Sequence, residues 1–393
     1  VEKNVSKNNI ILIILFAIIL CNCDRISVKN TPVAAINCND STFQVGNYCV
    51  FDASNSCVGS GDTLIYNWEQ DDSNPIPINI FELMHDKKSS IGFCVEGTYK
   101  FRLTVNNGIQ DSEAEEIEIT VLPREIARFE DPTLEVQIRY ILNIPTGILP
   151  DSSLLTIDSL RRLIFTGEDI SSLDGIEQCP NIEYLWMNHQ NITDITPLST
   201  LYELKMLQLV QTWEIDDISA LTNLTNLEYL DIQCNEVRDL SPLAGLTKLK
   251  YLNILENPVE DCSHLSHLIH LEELFLGQTP IIDLSFVNQM DSLYLLWAPA
   301  SNISNLSPIS DRTNLKSIHF GWNQIQDISA LQNMSEIEEC YIPKNLIENI
   351  EPLVNNNGLG EGDLLVIYGN PLDSISVNQY IPILRSRGVI IRN

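Results

Sequence analysis

Three histidines, His264, His267 and His270, recur at every third residue, the spacing that aligns side chains on one side of a 3₁₀ turn. Imidazoles so aligned are what a zinc site draws on, but such a site needs further cysteine, carboxylate or histidine ligands to close it. None completes the set, so the triplet reads as polar surface and no metal is expected. Asp52, Asp62, Asp71 and Asp72 carry the oxygens that calcium takes, yet they match no calcium-loop spacing. The chain has no glycine-rich phosphate loop, nucleophile elbow or HExxH motif. Without a nucleophile or a cofactor cradle, neither enzymatic activity nor a cofactor is expected.

Another set of residues has the chemistry of recognition. Tyr184, Trp186, Tyr229, Tyr251, Phe275, Trp297, His319, Trp322 and Tyr341 return at fixed places within a repeated unit. Tyr and Trp offer a rigid apolar body with a polar tip, which is why binding hot spots favour them. What must position them is self-similarity at one period. Leu160, Ile182, Leu204, Leu227, Leu249, Leu271, Leu293, Leu315 and Ile337 follow one another in steps of 22 residues, with one step of 23 between Leu204 and Leu227. The fourth and sixth positions of each unit are apolar as well, from Leu163 and Phe165 to Cys340 and Ile342, which marks a short strand with one buried face. The third, fifth, seventh and eighth positions then face outward, and these hold the aromatic set. Trp213 stands beside the single inserted residue and is expected at the rim. Asn235, Asn257, Asn323 and Asn345 take the ninth position, where an amide can satisfy turn backbone. Asp194, Asp217, Asp239, Asp261, Asp283 and Asp327, with Asn305 and Asn349, suit the N-cap of a short helical turn on the opposite face.

The pattern of each unit, as in Asp239-Leu240-Ser241-Pro242-Leu243, resembles the internalin-like leucine-rich repeats of bacterial surface proteins. Phe129-Glu130-Asp131-Pro132, followed by Leu134, Ile138, Ile141 and Leu142, reads as an Asp-capped amphipathic helix with Pro at its first position. The stretches from Gly362 to Leu372 and from Tyr380 to Val389 resemble the strand and helix that close related arrays. The resemblance implies an α/β solenoid with strands on the concave face, 3₁₀ turns on the convex face and a cap at each end. It implies a protein partner and names none.

The first residues carry an address. Lys3 and Lys7 precede an apolar run from Ile10 to Leu20, which as a helix reaches roughly 16 Å and is too short to span a bilayer. It fits the core of a signal peptide. Leu20-Cys21-Asn22-Cys23 resembles a relaxed bacterial lipobox, which implies Cys23 as the lipidated residue, with Cys21 a poorer fit and Asn22 a departure from the usual small residue. Between Thr31 and Pro123, short β-branched and aromatic runs at Val33 to Ile36, Tyr48 to Phe51, Leu64 to Trp68, Tyr99 to Val105 and Ile117 to Val121 predict a small all-β sandwich. Phe51-Asp52-Ala53-Ser54, Tyr66-Asn67-Trp68-Glu69-Gln70 and Gly97-Thr98-Tyr99-Lys100-Phe101 resemble the immunoglobulin-like polycystic-kidney-disease (PKD) repeat, with Trp68 read as its core tryptophan. Cys38, Cys49, Cys57 and Cys94 lie in this region, and export permits one or two disulfides among three connectivities. Cys179, Cys234, Cys262 and Cys340 occupy different positions of the repeat and are expected to be buried thiols.

The expected organisation is multidomain: a signal and lipobox over 1–23, a PKD-like sandwich over 24–123, a linker and helical cap over 124–159, nine repeats over 160–358 and a C-terminal cap over 359–393. With 23 Lys+Arg against 53 Asp+Glu the net charge is −30, which repels phosphate backbones and makes nucleic acid a poor partner. The whole predicts a monomeric bacterial lipoprotein at the cell surface, touching the membrane only through its lipid. Its concave face would bind a protein, in adhesion or host interaction. The competing expectation is an envelope scaffold that binds glycan or cell-wall components.

Overall fold

The structure, a computed structural model, describes residues 31–58, 63–78, 87–123, 128–161 and 168–393. Cys21, Cys23 and the export signal lie outside the described residues, as do Asp62, Leu163 and Phe165. The chain divides into two compact units.

The first unit is built from β1 (Asn37–Cys38), β2 (Thr42–Gln44), β3 (Tyr48–Asp52), β4 (Ile65–Gln70), β5 (Lys88–Gly92), β6 (Gly97–Asn106) and β7 (Glu115–Leu122). They form a three-stranded sheet in the order β1-β3-β5 and a four-stranded sheet in the order β2-β7-β6-β4. Strict alternation along β6 turns Tyr99, Phe101, Leu103 and Val105 inward, while Lys100 and Arg102 face water. The inner faces of the two sheets share one apolar core. Phe51 of β3 packs 5.1 Å from Phe101 and stacks at 5.5 Å on Trp68, which is buried as its core reading requires. Two strands had no apolar signal: β5 is mostly polar, and β2 is a three-residue edge that pairs parallel with β7. The predicted strand at Val33 reduces to one bridge with Cys57.

The second unit opens with the expected helix, Pro132–Leu142. Asp131 does double duty there. One carboxylate oxygen accepts from the Thr133 and Leu134 amides at 2.7 and 3.1 Å, and the other accepts from the Ser171 amide and hydroxyl at 2.7 and 2.9 Å. The cap of the helix is thereby tied to the first turn of the array. Eleven parallel strands follow: β8 (Ser159–Arg161), β9 (Tyr184–Trp186), β10 (Met206–Gln208), β11 (Tyr229–Asp231), β12 (Tyr251–Asn253), β13 (Glu273–Phe275), β14 (Leu295–Trp297), β15 (Ser317–His319), β16 (Glu339–Tyr341), β17 (Leu364–Val366) and β18 (Ile390–Arg392). The central residue of every strand from β9 to β16, Leu185 to Cys340, is fully buried in one continuous core.

Register corrects one expectation. Leu160 pairs with Leu185, so it occupies the fourth place of its unit rather than the first. The first coil therefore runs three residues longer than the others, and its first apolar place belongs to Ile157, which is buried.

Three residues beyond each strand from β9 to β16 the backbone turns left-handed: His189, Gln211, Cys234, Glu256, Gln278, Ala300, Trp322 and Lys344 all have φ between 53° and 57°. This is the eighth place of the unit. A non-glycine residue there costs about 1 kcal/mol or more. The same turn lets its N–H donate to the carbonyl of the next coil, as from Trp322 to Pro343 at 2.9 Å, and swings the ninth side chain inside. Asn257 shows what that achieves. Its amide donates to the carbonyls of Ile232 at 2.9 Å and Ile254 at 3.2 Å and accepts from the Val237 amide at 3.0 Å. On the convex side the capping residues sit one place earlier than an N-cap. Each accepts from the amide two residues on, at 2.7–2.9 Å, the first N–H of a 3₁₀ turn such as Ser241–Leu243.

Candidate functional site

The outward side chains of the parallel sheet stand in columns, because strands pair in register and each strand contributes only three residues. The third-place column runs Tyr184, Met206, Tyr229, Tyr251, Glu273, Leu295, Ser317, Glu339, and the fifth-place column runs Trp186, Gln208, Asp231, Asn253, Phe275, Trp297, His319, Tyr341. Neighbouring strands lie about 4.8 Å apart, so rings in adjacent units of one column are held at stacking distance.

Six of the nine sequence-selected residues form one unbroken series. Tyr229 stacks on Tyr251 at 4.1 Å; the series then crosses diagonally to Phe275 at 5.2 Å, continues to Trp297 at 6.1 Å, and closes with His319 at 4.0 Å and Tyr341 at 4.1 Å. Tyr184 and Trp186 form a separate pair at 6.0 Å, with Met206 and Gln208 between them and the rest. Trp322, at the eighth place, stands 56 % exposed and meets Tyr368 edge-on at 6.5 Å. Tyr368 was missed in the sequence because β17 follows β16 at an irregular spacing; the Gly369-Asn370 pair after it was the available signal. Asn370 continues the interior amide ladder by donating to the Ile342 and Ile367 carbonyls at 2.9 and 2.8 Å. Trp213 is 58 % exposed on a left-handed backbone, φ 68°, beside the inserted residue.

The rings pack on one another and each keeps only a minor part of its surface in contact with solvent. Polar groups fill the other end of the face. Asn188 donates to Gln208 and Gln208 to the Tyr229 hydroxyl, both at 3.1 Å, while Asn253 donates to Gln233 at 3.1 Å. Burial raises the Asp231 carboxyl above its ordinary range within this web. Burial between two rings likewise lowers His319 to about 4, despite Glu339 nearby, so the imidazole is neutral at pH 7 and shares a hydrogen bond with the Ser317 hydroxyl at 3.1 Å. The second-place column, unnoticed in the sequence, alternates charge along the rim: Lys205 pairs with Glu183 and Lys250 with Glu228 at 2.7 Å, and Lys316 with Glu338 at 2.9 Å.

The metal candidates take other places. His264 and His267 lie on the 3₁₀ turn Ser263–His267, with His267 and His270 exposed, and among the described residues no group of three or more His, Cys, Asp or Glu could hold a metal. Asp52 instead pairs with Lys88 at 2.7 Å, which with Ser54 holds its carboxyl at about 2, and Asp71 accepts from the Ser73 amide and hydroxyl. Of the disulfide candidates, Cys57 is disulfide-bonded and Cys38 and Cys49 carry free thiols, while Cys94 is buried. Cys179, Cys234, Cys262 and Cys340 are buried thiols.

Residues 203–245 and 225–267 match the family model for Leucine Rich repeats (2 copies). A search of curated proteins found no match. Among solved structures, an internalin (inlF) from Listeria monocytogenes is 27 % identical over 65 % of this chain and 89 % of its own, with a TM-score of 0.48. An internalin C2 from the same organism is 21 % identical over 62 % of this chain and 94 % of its own, with a TM-score of 0.45. A leucine-rich-repeat protein from Leptospira interrogans shares the fold at 17 % identity, covering 58 % of this chain and 59 % of its own with a TM-score of 0.51. The chain thus carries a leucine-rich-repeat solenoid, and that solenoid is similar to those of the internalins.

Proposed function

We propose that this protein is a surface-anchored bacterial lipoprotein that binds a protein partner through the concave face of its repeats, in adhesion or host interaction. The observation that carries the reading is the series from Tyr229 to Tyr341, rings held in contact by strand register and open to solvent along one side. An ordered row of partly exposed rings has already lost the side-chain freedom that binding would otherwise cost, which favours a contact surface. Tyr184, Trp186 and Trp322 extend it. Trp186 and Trp297 are the anchors, with alternating charges along the rim setting orientation. In this reading the seven-stranded unit is a PKD-like sandwich that spaces the solenoid from a lipid on Cys23. Leucine-rich repeats are scaffolds of recognition, and no catalytic role is assigned. Among the described residues no helix is long and apolar enough to cross a membrane.

The amide web of Asn188, Gln208, Gln233 and Asn253 beside aromatic platforms favours a second reading, an envelope scaffold that binds glycan or cell-wall polymer. One experiment separates them. Wild-type chain and a Trp186→Ala, Trp297→Ala double variant are presented in parallel to detergent-solubilised host surface proteins and to a glycan array, with circular dichroism confirming the fold. A protein captured by the wild type and lost with the double variant supports the proposal. Capture unchanged by the double variant overturns the face assignment, and glycan binding without protein capture transfers the site to the second reading.

A further inference from the structure

We propose that Cys38 and Cys49 are a dithiol that closes to a disulfide, with Cys38 as the attacking thiol and Cys49 as the resolving one. β1 is a two-residue edge strand pairing antiparallel with β3, and Cys38 stands directly opposite Phe51. Directly paired residues share a face of the sheet, and Cys49 lies two places from Phe51, so both thiols project to the inner face as diagonal neighbours. Cys49 belongs to the buried apolar core of this unit and Cys38 packs against that same core. Asn39 fixes the exit of β1 beside them: its side-chain oxygen accepts from the Val50 amide at 2.9 Å and lies 3.7 Å from the Cys38 sulfur.

The two environments divide the roles. Cys49 is fully buried among core residues and Cys38 is half-buried at the sheet edge. The hydrogen bond from Cys49 lowers the Cys38 thiol, and burial raises that of Cys49. The oxidant is an external disulfide. The Cys38 thiolate attacks one of its sulfurs, forming a mixed disulfide and expelling one thiolate; Cys49 then loses its proton to solvent and attacks the Cys38 sulfur, expelling the second. Two thiols are oxidised and one disulfide becomes two thiols. The product staples the edge strand β1 to β3.

The full chain is incubated with oxidised glutathione, alkylated with iodoacetamide under denaturing conditions and cleaved on the N-terminal side of aspartate. Cleavage at Asp40 and Asp52 places the two cysteines on separate peptides. The expected result is loss of alkylation at both cysteines and a linked pair of those peptides. Cys49→Ser, checked by circular dichroism, should trap glutathione on Cys38, whereas Cys38→Ser should leave Cys49 without an adduct. Full alkylation of both cysteines in the treated wild type, or a bridge from Cys38 to any other cysteine, overturns the proposal. Failure of Cys49→Ser to trap glutathione overturns the assignment of Cys38 as attacker.

Discussion

Replacing Asn257 by alanine tests whether the interior amides, rather than the apolar core alone, hold adjacent coils together. Asn257 is 2 % exposed, and its side chain makes three donations, the third to the Leu255 carbonyl at 3.2 Å, and one acceptance. The Ile232 carbonyl keeps a second donor, Asn235 at 2.9 Å, and the Leu255 carbonyl keeps the Cys234 amide at 2.9 Å, so the loss falls on the Val237 N–H and the Ile254 carbonyl. Leaving two buried backbone groups unsatisfied costs about 2–4 kcal/mol. In a repeat array that cost is felt between neighbouring coils. Hydrogen exchange at the Val237 amide should accelerate roughly 30- to 1,000-fold, since each 1.4 kcal/mol is tenfold. Amides of β17 should not change. Thr279, the ninth residue of the next unit, makes one hydrogen bond, to the Leu276 carbonyl, so Thr279→Val supplies an isosteric comparison expected to cost about 1 kcal/mol. Acceleration below about fivefold for Asn257→Ala, or equal effects of the two substitutions, would refute the reasoning, since the interior would then be held by apolar packing alone.

Two further outcomes are expected. The unfolded chain binds a proton at His319 near pH 6.5 and the folded chain only near 4, so the stability that neutral His319 contributes is present above pH 6.5 and is lost as pH falls from there toward 4. Between pH 7.5 and 5.5 the decline should be about 0.5–1 kcal/mol, allowing for solvent at the open face, and a difference in urea midpoints that persists unchanged in His319→Gln would assign it to other groups. At Gly358 an added Cβ would lie 2.1 Å from the carbonyl oxygen of Ser335, a backbone atom that cannot yield without shifting its coil. Gly358→Ala should therefore cost about 2–3 kcal/mol in thermal or urea unfolding, while Gly360→Ala, with no atom within 4 Å, should stay within about 0.5 kcal/mol.

The sequence by itself determined the period, the inward and outward places of each strand, the Asp-capped helix at Pro132 and the identity of the aromatic residues. These are local properties: alternation along three residues and a capping carboxylate are legible without knowing any neighbour. Tertiary structure decided the rest. That Tyr229 and Tyr251 share one column while Phe275 stands in the other depends on which strand residues pair, as does the shift that moves Leu160 to the fourth place. The left-handed turn at the eighth place had no signature, because Glu256, Gln278 and Trp322 are not residues that choose it; the hydrogen bond to the next coil chooses it for them. The rim pairs Lys205–Glu183 and Lys250–Glu228 are 22 residues apart in the chain and 2.7 Å apart in space. Only the stacking of coils converts one distance into the other, and the same stacking turns nine scattered aromatic residues into a surface.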